Sequence, residues 1–144
     1  MSKYQSIQML SRNQLGWVWV AYWRLWPVLM RIKFKQFFNV NDWLMKKITV
    51  AQNLPPSGID VSSVASQVHE AVRLAARLHV LLASCLPKAI VLADILTARG
   101  MPASVVIGVS KADGRLSSHA WVEVDGKMVA EPESVGDNFT PLNR

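Results

Sequence analysis

The hydrophobic pattern changes period between Ser84 and Glu131, and that change constrains the fold more than any other feature of the chain. Ser84-Cys85-Leu86-Pro87-Lys88 opens an apolar run, Ala89 to Leu96, that fits a helix. Pro87 is tolerated in a first helical turn, where its missing N–H has no partner in any case, and Gly100 suits the position just past the end. Ala103-Ser104-Val105-Val106-Ile107-Gly108-Val109 is rich in β-branched residues and reads as a buried strand. Lys111 to Arg115 has turn chemistry. His119, Trp121 and Glu123 then alternate with Ala120, Val122 and Val124, so a strand puts one set on each face. Asp125-Gly126 marks a hairpin, after which Lys127 to Glu131 return. Helices followed by antiparallel strands make an α+β fold, with the helix that starts near Cys85 packed on a small sheet.

Upstream, Val64, Val68, Ala71, Val72, Ala75 and Leu78 fall at helical spacing, and Asp60 or Ser62 can cap that helix. Asn53-Leu54-Pro55-Pro56-Ser57-Gly58 is dense in turn residues and divides an N-terminal helical segment, 1–52, from a core, 53–144, within one compact unit. In the first segment Pro27 is expected to end or kink a helix. A second amphipathic segment runs from Val28 to Phe38, and Asp42 can cap a third from Trp43 to Val50.

Composition narrows the function classes. At 144 residues and 51% hydrophobic, the chain can bury a real core and is not a disordered polymer. A single cysteine makes no internal disulfide and asks for no oxidising compartment. Cys85 with His69, His79 and His119 matches no zinc spacing, and there is no dinucleotide or phosphate loop, so no metal or organic cofactor is expected. Residues 1–47 carry eight Lys/Arg against one acid, whereas residues 48–144 carry eight against nine, so the basic excess is N-terminal. Five of the six tryptophans lie between residues 17 and 43. Arg24 and Pro27 interrupt this apolar stretch, which argues against a membrane span, and no small-x-small site follows as in a secretory signal. The region reads as a helical layer on the core, as a docking surface for a peptide or protein, or as an interfacial membrane helix with weak contact to a bilayer surface. No nucleic-acid-binding fold accompanies the basic and aromatic residues.

Three residues carry candidate chemistry. Cys85 stands at a helix start, where free N–H groups and the positive end of the helix dipole favour a thiolate and can hold an oxyanion. The bland alternative is a small buried hydrophobe. His119 is the partner; His69 and His79, on or at the end of a helix, read as structural or exposed. The acid depends on hairpin register. Asp125 and Glu123 lie too far along the same strand, about 20 and 13 Å at the strand rise. A three-residue loop, 124–126, would set His119 opposite Glu131, within reach of an imidazole. A two-residue loop would set His119 opposite Pro132 and turn Glu131 to the other face. The alternatives for the acid are Glu133 or none, with Glu131 a surface carboxylate.

Cys85-Leu86-Pro87-Lys88-Ala89, Gly100-Met101-Pro102-Ala103, Ile107-Gly108-Val109 and His119-Ala120-Trp121-Val122-Glu123 together resemble the transglutaminase-like cysteine protease of lasso-peptide biosynthesis. This is the B protein in its split form, without a fused leader-binding domain. The resemblance covers about residues 55–135, and more loosely the basic, tryptophan-rich start. It implies a transglutaminase-like or papain-like core in a bacterial cytoplasmic enzyme. In that enzyme Cys85 is the nucleophile, His119 the general base and acid, and the acid of the next strand the third member. The family usually has Asp there; this chain has Glu131, one methylene longer. The implied activity is removal of the leader from a ribosomally made, often antimicrobial, precursor peptide. The implied partners are that precursor, a small leader-recognition protein and an ATP-dependent macrolactam cyclase. Trp17, Trp19, Trp23, Arg24, Trp26 and Arg31 are the candidate docking residues. Other transglutaminase-like acyl transfer, amide cross-linking or deamidation, would use the same three residues. A non-enzymatic peptide- or membrane-binding module is the remaining alternative.

Overall fold

A computed structural model describes residues 12–34, 60–79, 84–112, 114–132 and 134–142. Helix α1, Arg12–Lys33, buries Val18, Ala21, Leu25, Val28 and Leu29 along one stripe. It continues through Pro27, where the sequence suggests an end or a kink, and takes in the first part of the segment expected from Val28 to Phe38, of which residues 35–38 lie outside the described residues. An internal proline costs about 3 kcal/mol. Leu25 on one side and Val28 and Leu29 on the other are buried, each contributing about 1.5–3 kcal/mol, so packing holds the helix across the break. The helix expected from Trp43 to Val50, its Asp42 cap and the turn at 53–58 lie outside the described residues.

Helix α2, Val61–Leu78, starts after Asp60 and buries Ala65, Val68, Ala71, Val72 and Ala75, close to the expected stripe. Asp60 occupies the capping position, but its side chain makes no capping hydrogen bond. Helix α3, Cys85–Ala98, follows Ser84 and is apolar nearly all round: Pro87, Ala89 to Ala93, Ile95 and Leu96 are buried. Such a helix belongs in the middle of a core. It packs against α1 and α2 on one side and the sheet on the other. Gly100, at φ +79°, turns the chain out of it, and the Met101 N–H donates to the Leu96 carbonyl at 3.1 Å.

The sheet is antiparallel, in the order β3-β2-β1-β4, with β1 Ala103–Ala112, β2 Arg115–Val124, β3 Lys127–Val129 and β4 Thr140–Pro141. Lys111 pairs with Leu116 and Ala112 with Arg115, so the strands run into the stretch expected as a turn, Lys111–Arg115, and both are longer than the sequence suggests. Ala103, Val105, Ala120, Val122, Val124 and Val129 join the helical core on one face. The other face carries Val106, Gly108, His119, Trp121 and Glu123. A short helix, α4 Ser134–Asn138, and β4 bring Phe139 back to β1, beside Gly108. The architecture is α+β, as expected. No described helix is long and apolar enough to cross a membrane.

The second hairpin differs from the one that favours Glu131. Val124 pairs with Lys127, so the loop is the two residues Asp125 and Gly126, at φ 52° and 73°. Both values suit the turn that Asp-Gly favours, whose twist matches the strands. Strand β3 ends at Val129, and Ala130 then takes φ 60°.

Gly108 tests the packing of the far face. A β-carbon there would lie 2.6 Å from Cη2 and Cζ3 of the buried Trp121 ring and 3.0 Å from Cβ of Phe139. Gly108→Ala is expected to destabilise the fold by about 1–3 kcal/mol, the usual cost of overpacking. Urea denaturation should show a lower midpoint at unchanged slope; an unchanged midpoint would mean that this face is loosely packed.

Candidate active site

Cys85 is the first residue of α3, half-buried, with a free thiol. It lines a cavity of about 240 Å³ together with His119 from β2 and Glu131 from the segment after β3. Three residues that are far apart in sequence thus meet at one opening. α3 packs against β1 and β2, and its first residue shares a cavity with His119 although the His119 position lies on the sheet face opposite that packing.

His119 Nε2 lies 3.5 Å from Glu131 Oε1, with both side chains about three-quarters buried (27% and 22% exposed). This is ion-pair range but the outer limit of a hydrogen bond, and Nε2 has no hydrogen-bond partner of good geometry. Glu131 is therefore the acid beside the imidazole, but not for the reason expected. With a two-residue loop, an uninterrupted strand would carry Glu131 to the wrong face. The strand instead stops at Val129, and the left-handed turn at Ala130 breaks the alternation before Glu131. Glu133, the alternative acid, lies outside the described residues.

The cavity also contains His69, which the sequence reading set aside, and two basic residues that it did not consider for the site. His69 and Arg73 line it from α2, and Lys88 lines it from α3. Lys88 stands three residues after Cys85, hence on the same helical face. Arg73 is held by Glu70 at 2.8 Å. A lone helical histidine gives little signal by itself; the four-residue spacing of His69 and Arg73 around Val72 was the available clue. Val72, Leu92, Val122 and Val129 make the apolar part of the wall. His79 is elsewhere: it ends α2, buried, with its ring 4.9 Å from Tyr22 and 5.6 Å from Trp26.

None of the candidate docking residues lines the cavity. Trp19, Trp23 and Trp26 form an exposed stripe on α1, 64%, 56% and 47% accessible, with Trp19 and Trp23 edge to face at 5.7 Å. Trp17 is different, half-buried with the Arg99 guanidinium 3.9 Å above its ring. Arg24 and Arg31 are half-buried on the same helix.

A thiol at a helix start, an imidazole and a carboxylate around one cavity can perform acyl transfer through a thioester. The family model of the transglutaminase-like superfamily matches residues 28–144. No curated protein and no solved structure gives a significant match. The matched region begins within α1 and takes in α2, α3 and the whole sheet. A match over so much of the chain decides its kinship: it belongs to the transglutaminase-like superfamily, which includes cysteine peptidases and acyltransferases.

Proposed function

We propose that the chain is a cysteine peptidase that removes the leader from a ribosomally made lasso-peptide precursor. The observation that carries this reading is the meeting of Cys85, His119 and Glu131 on the wall of one cavity. The motifs shared with the lasso-peptide B proteins, around Cys85, Gly108 and His119, supply the substrate class.

In the proposed reaction the Nε2–H of His119 is directed at the Glu131 carboxylate, which stays ionised, and this leaves Nδ1 as the base. Nδ1 accepts the thiol proton, and Sγ of Cys85 attacks the carbonyl at the leader–core junction. The oxyanion is held by backbone N–H groups at the start of α3, aided by the helix dipole. The C–N bond breaks, and His119 protonates the amine, which leaves as the N-terminus of the core peptide. Water, deprotonated by His119, then opens the thioester and frees the leader. Glu131 stabilises the imidazolium formed in each half. The exposed Trp19–Trp23–Trp26 stripe, on a helix with basic residues and no acid, is the docking surface for the leader or its recognition protein. The released core would pass to an ATP-dependent macrolactam cyclase.

Three outcomes test this reading. Cys85→Ala should abolish precursor cleavage, followed by mass spectrometry with the recognition protein present, while leaving the thermal midpoint near that of the parent. Retained cleavage would refute the peptidase reading, and product joined to an added amine would move it to cross-linking. Glu131→Gln should lower kcat by about 10²–10⁴-fold, because the tautomer of His119 is no longer fixed and the imidazolium no longer stabilised. Full activity would assign the third role to Glu133 or to no acid. Removing residues 1–47 is a poor test of docking, since it strips Val18, Ala21, Leu25, Val28 and Leu29 from the core. Replacing Trp19, Trp23 and Trp26 together by Gln should instead raise KM for the leader-bearing precursor with kcat retained. An unchanged KM would remove the docking role from the stripe.

A further inference from the structure

The far face of the sheet holds a buried carboxylate that the proposed reaction does not use. Glu123 is 5% exposed, on the same face of β2 as His119 and Trp121. A carboxylate removed from water needs hydrogen bonds. The Nε1–H of Trp121 donates to its Oε1 at 3.1 Å. Trp121 is itself 2% exposed, and Cη2 and Cζ3 of its six-membered ring occupy the space beside Gly108 that a β-carbon would need, Gly108 being the residue paired with His119. The His119 ring is stacked on Trp121, with centroids 6.3 Å apart and planes at 23°. Phe139 approaches the imidazole from the C-terminal segment, at 5.6 Å and 42°.

From this geometry we infer that Glu123 is a positioning residue for His119, acting through Trp121. The inference rests on the peptidase reading of His119 but extends it to residues that touch no substrate. An indole has two broad orientations about its terminal torsion. A ring with Nε1 directed at Glu123 satisfies the buried indole N–H. That orientation sets the ring beside both Gly108 and the imidazole. Phe139 closes the clamp, so the imidazole plane is set by aromatic walls and its Nε2 is left toward Glu131. Gly108 is required because any β-carbon would displace the indole. Without the acceptor at 123, the indole N–H is buried and unsatisfied, and the ring must turn or tilt to reach water.

Cys85 is the sole cysteine, so alkylation of the chain by iodoacetamide reads its thiol without any peptide substrate. The experiment measures that rate against pH, with the ring resonances of His119 by NMR, in the parent, Glu123→Gln and Glu123→Leu. Gln keeps the acceptor oxygen and should keep the His119 resonances and an alkylation rate within about twofold of the parent. Leu removes the acceptor; the His119 signals should shift or broaden, and alkylation near neutral pH should slow by about tenfold or more, since a displacement of about 1 Å at a reacting group can cost 10²-fold. A folded Glu123→Leu variant with parental His119 signals and pH–rate profile overturns the inference. Should that variant fail to fold, Trp121→Phe, which keeps an aromatic ring and deletes the donor, is expected to show the same changes, and parental behaviour there overturns it equally. His119→Ala serves as the control for the pairing itself. An alkylation profile indifferent to His119→Ala counts against the peptidase reading, while the His119 resonances still decide the clamp.

Discussion

The burial of α3 between the helical layer and the sheet sets the position of everything else. Its surface is apolar on nearly every side, so it can be stable only with α1 and α2 against one side and β1 and β2 against the other. Its first turn is the exception. There the chain offers Ser84, Cys85 and Lys88, and the packing stops short enough to leave a cavity at the helix N-terminus. The thiol thus sits at the helix start, in the turn whose backbone N–H groups have no partner within the helix.

The sheet divides its work between two faces. Small and β-branched residues, Ala103, Val105, Ala120, Val122 and Val124, support α3. The opposite face carries the imidazole and the aromatic and acidic groups around it. Because strand alternation is strict, a residue that supports the helix cannot also support His119, and the two sets of constraints hardly interfere. The C-terminal segment completes the second face: β4 pairs with Gly108 and Val109, the Leu142 N–H donates to the Ile107 carbonyl at 2.8 Å, and Phe139 is held beside His119.

Much of this was legible because it rests on local periodicity. The start of α3 at Cys85, its end just before Gly100, the alternation around His119 and the Asp125-Gly126 hairpin all follow from patterns within a few residues. The approach of Glu131 to His119 was expected from a register that does not occur. The true cause, a left-handed Ala130, leaves no mark in the sequence, since alanine has no preference for that conformation. The continuation of α1 through Pro27 was hidden for a related reason: tertiary burial of Leu25, Val28 and Leu29 outweighs a local rule. Lys88 shares a helical face with Cys85, but His69 and Arg73 reach the cavity through the packing of α2 on α3, so their four-residue spacing marks a common face without saying what it meets. The two-residue strand β4 is too short to carry a periodic signal.

The central claim is that Cys85, activated by His119, attacks the carbonyl at the end of a leader peptide. A synthetic leader whose scissile carbonyl is replaced by an electrophilic carbon tests it most directly, with intact-protein mass spectrometry as the readout. The account expects one leader attached per chain, mapped to Cys85, at a rate that falls sharply in His119→Ala and with an unrelated peptide carrying the same electrophile. No attachment, or attachment at equal rates in the parent and in His119→Ala, would contradict it.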